Sequence, residues 1–333
     1  MHILVCGGAG FIGSTFIRNY LKNNTDSKII NLDVLTIGSN LENLKDIENN
    51  PNYKFLKDDI RNESQINCLV KDVDVVVNFA AQSHVDRSIA NPKPFLETNI
   101  LGTYSILEAI RKHDKQFIHV STDEIYGDAE GQESFNEDSK INPSNPYAAT
   151  KAAADNLVAS YYRTYGINCI TTRCTNNFGS YQFPEKLIPK TIIRSIKDLK
   201  VPLYGDGMQV RSWIYVYDHV QAIESLISKG RPGQVYNITA YEEITNKTIV
   251  EKILDILGKP HDMLEYVEDR PGHDKRYSID CSKIENQMGW KPKYHFDDAL
   301  KQTVQWYLQN QSWWTPLIDE NTLHPQPWTL SWK

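Results

Sequence analysis

A short apolar run, Ile3-Leu4-Val5-Cys6, passes directly into Gly7-Gly8-Ala9-Gly10-Phe11-Ile12-Gly13 and then into a helical pattern carried by Phe16, Ile17 and Leu21. Strand, glycine turn and helix in this order constrain the fold more than any other stretch. Glycines at 7, 10 and 13 allow a tight turn, close approach of the backbone to a pyrophosphate, and close packing of helix on strand. The helix start then offers unpaired N–H groups and a positive dipole to phosphate. A glycine triplet alone is weak evidence, but this one lies between strand and helix, where such a motif has a mechanism. A second strand, Lys28 to Leu32, runs into Asp33, twenty residues beyond Gly13. A carboxylate there accepts hydrogen bonds from the adenosine ribose hydroxyls and repels a 2′-phosphate, which points to NAD rather than NADP. The competing role for Asp33 is to cap a turn.

The rest of the chain continues this α/β pattern. Tyr53-Lys54-Phe55-Leu56 reads as a strand ending near Asp58-Asp59-Ile60. Val73 to Phe79 reads as a central strand ending in Ala80-Ala81-Gln82-Ser83-His84. Small residues at a strand end let a cofactor come close, and Ser83 is a candidate sugar contact. His84 reads as structural. Phe95 to Arg111 carries a helical apolar stripe at Ile100, Leu101, Tyr104, Leu107 and Ile110. Phe117 to Val120 is a further buried strand that delivers Ser121-Thr122-Asp123-Glu124 at its carboxyl end, which in doubly wound sheets faces the ligand crevice. The Ala-rich run after Pro146 is a helix, so Tyr147 and Lys151 share one face at i and i+4. An ammonium beside a phenol favours the phenolate, making Tyr147 a candidate base near neutral pH, with Thr122 able to bond the same substrate oxygen. Taken alone, Tyr-x-x-x-Lys is no better than a chance pair on a solvated helix; the glycine turn gives it meaning. Asp123-Glu124 is either an acidic loop or an acid/base pair.

Composition narrows the function classes. The chain has 333 residues, 40% of them hydrophobic, and a net charge of −6 without a long basic run, so neither nucleic acid nor an anionic membrane is an expected partner. Cys6, Cys68, Cys169, Cys174 and Cys281 are scattered and never form Cys-x-x-Cys, which predicts no disulfide framework, no metal site and a reducing cytoplasm. No apolar run is long enough for a membrane span, and no signal segment is expected.

After Cys169-Ile170-Thr171-Thr172-Arg173 the pattern changes to Pro/Gly-punctuated polar segments around Asn176-Asn177-Phe178-Gly179, Phe183 to Pro189 and Pro202-Leu203-Tyr204-Gly205. The expected architecture is a doubly wound (Rossmann) parallel sheet over 1–175 plus about 208–240, interleaved with a smaller substrate-binding part over about 176–207 and 241–333. Val235 to Ile238 is the strand that returns to the main sheet. Lys186 and Arg211 are cations suited to a diphosphate, though each alone would be a surface charge. Asn246 opens an amphipathic helix and reads first as its N-cap. Asp269-Arg270-Pro271-Gly272-His273-Asp274 is a turn-rich charged loop. The tail with Trp313, Trp314, Pro325, Pro327, Trp328 and Trp332 is expected to run irregularly on the surface, its aromatics packed against the body or a partner, with no chemistry assigned.

Together these motifs resemble the extended short-chain dehydrogenase/reductase family and, within it, the nucleotide-sugar 4,6-dehydratases. The elements carrying the resemblance are AAQSHVDRSI from Ala80, STDEIYGD around Asp123-Glu124, NNFGSYQFPEKLIP from Asn176 and EDRPGHDKRY from Glu268. It covers all but the last twenty or so residues. The resemblance implies that Phe11, Ile12, Asp33, Thr36, Asp59, Ile60, Thr98, Tyr147, Lys151 and Asn177 contact NAD. Gly7, Gly10, Gly13, Val34, Leu35, Phe79, Ala80, Ala81 and Ser83 complete that expected set. It implies that Ser83, Thr122, Asn176, Lys186, Leu187, Pro202, Leu203, Tyr204, Arg211, Asn246, Asp269, Arg270 and His273 hold a nucleotide sugar, dTDP-glucose in preference to UDP-glucose or UDP-N-acetylglucosamine. Helices 95–111 and 147–165 match the family's dimer helices. Implied catalysis is oxidation at carbon 4 by Tyr147, Lys151 and Thr122, elimination across carbons 5 and 6 by Glu124 as base and Asp123 as acid, and return of hydride to carbon 6. Three positions depart from the family: Gln82 for Glu, Cys6 for Thr, and Ile238-Thr239 for Ile-Gly-Gly. The competing readings are a nucleotide-sugar 4-epimerase, which has no use for the pair at 123–124, and a non-catalytic NAD(H) sensor.

Overall fold

The computed structural model describes residues 1–131 and 133–332; Lys333, the last residue of the expected C-terminal part, lies outside them. The frame is a seven-stranded parallel sheet in the order β3-β2-β1-β4-β5-β6-β10. Its strands are β1 (His2–Cys6), β2 (Lys28–Asp33), β3 (Tyr53–Lys57), β4 (Val75–Asn78), β5 (Gln116–Thr122), β6 (Cys169–Cys174) and β10 (Val235–Ile238). Alternation along each strand serves two cores. Ile3, Val5, Val75, Val77, Ile118 and Val120 face one side, with Phe16, Ile17 and Leu21 of the helix Phe11–Asn23 and Val220, Ile223 and Leu226 of Val216–Lys229. Leu4, Val76 and Phe117 face the other, with Ile106, Leu107 and Ile110 of Thr103–His113 and Val158 of Pro146–Tyr165. Burial on both faces explains why these strands read as unbroken apolar runs.

The central strand is shorter than the expected Val73 to Phe79. The stripe expected over Phe95 to Arg111 spans a longer helical run, Lys93 to His113, interrupted by a π-helical turn at Leu96–Gly102. Within that turn the buried Asn99 donates to Thr150 Oγ1 at 2.9 Å and accepts from the Gln82 N–H at 2.9 Å, tying the Tyr147 helix to the strand end after β4.

The smaller part holds a three-stranded sheet, β11-β9-β7, and a two-stranded one, β12-β8. These are β7 (Asn176–Phe178), β8 (Val201–Tyr204), β9 (Val210–Tyr215), β11 (Glu243–Thr245) and β12 (Leu264–Val267). The expected return segment, about 208–240, is therefore split: β9 joins the small sheet, while the helix Val216–Lys229 and β10 go with the large one. Helices Leu187–Ile196, Asn246–Leu257 and Phe296–Gln309 bury Ile188, Ile192, Ile249, Ile253 and Leu300 around Trp213 and Phe178. The tail forms short helical turns at Gln311–Trp314, Thr315–Leu317 and Pro327–Thr329. Trp314 is buried, and Trp313 Nε1 donates to Asn43 Oδ1 at 2.9 Å. Among the described residues no helix is long and apolar enough to cross a membrane.

Candidate active site

The carboxyl ends of β1, β2, β4, β5 and β6 open into a cavity of about 440 Å³, of a size that takes a small-molecule ligand. A smaller cavity of about 160 Å³ adjoins it on the side of the small part, sharing Glu124, Asn176 and Lys186 in its walls.

At one end the chain turns from β1 into the helix Phe11–Asn23. Gly7 sits at φ +77°, where an L side chain is strained, and a Cβ there would lie 2.5 Å from the Ala80 backbone nitrogen. The helix starts at Gly10 without a side-chain cap, leaving its first N–H groups for a ligand. Asp33 is buried and accepts from the Ala9 N–H at 3.0 Å and the Leu35 N–H at 2.8 Å. It thus serves the turn as well as facing the cavity; an ionised carboxylate has lone pairs left for ribose hydroxyls. An uncapped helix start, a turn no side chain can enter and a cavity-facing carboxylate together fit a dinucleotide. Of the residues expected around the cofactor, all line this cavity except Leu35, which adopts left-handed φ +61° and offers its N–H to Asp33 instead. Asn177 lines it too, but its amide is already used by the Thr175 carbonyl at 2.9 Å and His219 Nδ1 at 2.8 Å.

In the middle lies the end of β5. Thr122 caps the 3-10 turn Asp123–Tyr126 by accepting from the Glu124 N–H, and it donates to Asp123 Oδ1 at 3.3 Å. Asp123 is 3% exposed, and its Oδ2 has no hydrogen-bond partner among the described residues. Burial, then the neighbouring Glu124 charge, pushes its carboxyl up to about 8, so it holds a proton at neutral pH. Glu124 is half-buried; Asn145 Nδ2 donates to its Oε2 at 3.3 Å. Asn145 also caps the helix Pro146–Tyr165 through the Ala148 N–H at 2.9 Å, and Pro146 takes the first helical position. The cap that starts this helix thus fixes both Tyr147 in its first turn and the Glu124 carboxylate.

Tyr147 and Lys151 are 8% and 3% exposed and line the cavity together. The expected lowering of the phenol does not hold in the protein alone. Burial, followed by the Glu124 charge, drives Tyr147 well above its ordinary value, with Thr122 pulling weakly the other way. Lys151 cannot offset this because its Nζ is anchored to the Val120 carbonyl at 2.8 Å, and burial lowers it to about 8. His84, expected to be structural, stands in the walls of both cavities, and burial lowers it to about 4.

At the far end Leu187, Pro202, Leu203, Tyr204, Arg211, Asn246, Arg270 and His273 line the smaller cavity. Ser83 and Lys186 meet across the boundary, Lys186 Nζ donating to the Ser83 carbonyl at 2.8 Å. Asp269 is not in the wall. Its Oδ1 accepts from the Arg270 N–H and contacts His273 Nδ1 at 2.6 Å, and its Oδ2 accepts from Gln209 at 3.0 Å, so it braces the loop. The sequence reading missed several wall residues. Asp86 pairs with Arg270 at 2.8 Å and accepts from Tyr204 Oη at 3.0 Å. Arg87 pairs with Glu185 at 2.7 Å, and Tyr277 reaches Glu124 and Asp274. Lys190 is buried and lowered by burial to about 8. Asp86, Arg87, Glu185 and Tyr277 stand inside the motifs that carry the resemblance but were given no role of their own; Lys190 left a local signal, a lysine on the apolar face of Leu187–Ile196.

Residues 4–303 match the GDP-mannose 4,6 dehydratase family. A dTDP-glucose 4,6-dehydratase of Escherichia coli is 44% identical over 96% of this chain and 97% of its own length. The solved dTDP-glucose 4,6-dehydratase of Bacillus anthracis in complex with NAD superposes with a TM-score of 0.90 at 45% identity, covering 96% of this chain and all of that one. The Streptomyces venezuelae dTDP-glucose 4,6-dehydratase, also solved with NAD, gives a TM-score of 0.93 at 42% identity, again over 96% and 100% of the two chains.

Proposed function

The chain belongs to the GDP-mannose 4,6 dehydratase family, and from that premise we propose that it is a dTDP-glucose 4,6-dehydratase, converting dTDP-glucose to dTDP-4-keto-6-deoxyglucose and water. The cofactor is NAD, held by the glycine turn, Asp33 and the ends of β4 and β5; bound there, it supplies a hydride acceptor and later a hydride donor.

The chain's own residues handle the protons. Tyr147 takes the proton of the sugar's 4-hydroxyl, which Thr122 orients, and the Lys151 ammonium stabilises the phenolate once it forms. Burial, followed by the Glu124 charge, raises the Tyr147 phenol in the protein alone, so its work as a base depends on the charges that substrate and cofactor bring beside it. Oxidation at carbon 4 acidifies the hydrogen on carbon 5. Glu124 removes that proton, Asp123 gives its own to the departing 6-hydroxyl, and water leaves; Glu124 returns the proton to carbon 5 as carbon 6 is reduced. The observation that carries this reading is the adjacent pair at the end of β5, one carboxyl buried and pushed up to about 8, the other half-exposed. A 4-epimerase needs no such pair, and a sensor needs no proton carriers at all.

The reading extends to assembly and place. Leu96, Leu101 and Tyr104 on one helical run, and Tyr162 and Tyr165 on the next, are exposed apolar side chains on neighbouring helices, which supports a homodimer through these faces. Four buried, unpaired cysteines need no oxidising compartment and suit the cytoplasm.

Separate incubation with dTDP-glucose, UDP-glucose and UDP-N-acetylglucosamine, followed by mass measurement, tests the activity. Loss of one water from dTDP-glucose is expected, and the Tyr147→Phe variant should be slower by about a hundredfold or more. Unchanged mass in all three sinks the dehydratase reading.

A further inference from the structure

The Trp/Pro-rich tail has no place in the chemistry above, yet it packs against residues of the cavity wall. We propose that the segment His324–Trp332 is a strap that positions the nucleotide-sugar wall, acting through three residues it holds. This rests on the dehydratase reading for the identity of the ligand, a nucleoside diphosphate sugar.

Each contact falls on a wall residue. The His324 carbonyl accepts from Lys190 Nζ at 3.2 Å. The Trp328 ring stands edge-on to Tyr204, centroids 4.7 Å apart. The Trp332 ring lies under the Arg87 guanidinium at 3.7 Å. Lys190 and Tyr204 line the smaller cavity, and Arg87 lines the larger. Two of the three also belong to buried polar pairs: Tyr204 donates to Asp86, the partner of Arg270, and Arg87 pairs with Glu185.

The strap is braced internally. Trp332 Nε1 donates to the Pro327 carbonyl at 2.9 Å, the Gln326 N–H donates to His324 Nδ1 at 3.1 Å, and Pro327 is buried. Arg194 Nη1 clamps the chain just before it, on the Leu323 carbonyl. One proline-started turn, a second proline at the preceding bend and two indoles therefore form a stiff band across the outside of the wall, whereas the wall itself is made of long side chains with many rotamers. Without the band, Lys190 and Arg87 regain water and rotamer freedom. Binding a diphosphate would then have to reorder them. A preorganised wall avoids that cost and so favours tight binding. None of the strap's side chains touches the cavity, so they act as positioning residues and leave the proton transfers alone.

The test uses the full chain with Trp328→Ala, Trp332→Ala and Trp328→Phe, alongside a chain ended after Leu323. Steady-state kinetics with dTDP-glucose is read together with the amount of bound NAD. The inference expects KM to rise about tenfold in the alanine variants and in the shortened chain, with kcat within about threefold and NAD content unchanged. Trp328→Phe should recover most of the affinity, since an aromatic edge is kept. An unchanged KM in folded alanine variants overturns the inference. So does a parallel loss of kcat, KM and NAD, which would mean mere destabilisation. If the shortened chain does not fold, the point variants, on half-buried side chains, decide. A wild type that dehydrates nothing defeats the activity reading only, and the strap is then judged by calorimetric binding of dTDP, where the same rise in Kd is required.

Discussion

At the glycine-turn end of the cavity, Asp33 is satisfied by backbone N–H groups, those of Ala9 and Leu35, twenty-four and two residues away. At the other end, Asp86 is satisfied by side chains, Arg270 and Tyr204, 184 and 118 residues away. Both are buried carboxylates beside a ligand cavity, yet they sit in different kinds of wall. The first is a continuous piece of backbone whose shape is set by φ/ψ and by the absence of Cβ atoms. The second is assembled from charged side chains contributed by the β4 end, the Lys186–Lys190 segment, β8 and the 269–274 loop. In the backbone-built wall the dipoles are fixed by the fold. In the side-chain wall each charge depends on a partner from elsewhere in the chain.

The comparison is broken or upheld first by paired truncations. Asp86→Ala leaves the Arg270 guanidinium buried without its carboxylate and removes the acceptor of Tyr204; the expected loss is about 3–5 kcal/mol. Asp33→Ala strands the buried Ala9 N–H, at a cost of about 1–3 kcal/mol, while the part-buried Leu35 N–H can turn to water. Denaturant midpoints of the two variants against wild type measure the difference. Equal losses, or a larger one at Asp33, would mean that the two walls are not energetically distinct.

The same contrast explains what could be read before the fold was known. The spacing of Gly7, Gly10, Gly13 and Asp33, and of Tyr147 and Lys151, lies within single βα units, so local pattern was enough to place them. Asp123-Glu124 could be placed at a strand end for the same reason. The Asp86–Arg270 and Arg87–Glu185 pairs have no local signature: each partner alone is an ordinary charge, and only the return of the loop over the cavity joins them. Leu35 and Asp269 stand in stretches that do line the site, but their own geometry turns one to a left-handed turn and the other to bracing its loop. Periodicity also cannot reveal that burial outweighs Lys151 in setting the Tyr147 phenol, because that depends on how much water the closed fold removes.

A second test concerns the middle of the cavity, where the two walls meet. Asp123 is raised to about 8 and Lys151 is lowered to about 8, so both lose their useful proton above that pH. If both must be protonated, the wild-type rate should fall towards a hundredfold per pH unit well above pH 8, and the residual rate of Asp123→Asn only about tenfold per unit. Stability moves with the same group. The Asp123 carboxyl is raised from the 3.8 of an unfolded chain to about 8 when folded, so its stabilising contribution is complete below 3.8 and is lost as pH rises to about 8. Asp123→Asn, which has no such proton to lose, should therefore gain in Tm relative to wild type across that window and hold a constant advantage above it. A difference that does not change with pH would show that Asp123 is ionised in the folded protein.

The smallest expected effect on stability sharpens the comparison most. Gly10 has φ −75° and ψ 175°, an extended conformation open to any residue, and a Cβ there would meet only the Gly7 carbonyl, at 3.3 Å. Alanine is a poorer helix cap than glycine, but it also restricts the unfolded chain, and the two effects offset to within about 0.5 kcal/mol. The folded protein has little reason to require glycine at this position. If the requirement comes from a pyrophosphate approaching the backbone, Gly10→Ala should keep its unfolding midpoint while NAD binding weakens about tenfold or more. Normal NAD affinity in that variant would mean that the turn does not recognise its ligand through bare backbone, and the contrast between the two walls would then reduce to the number of charges each contains.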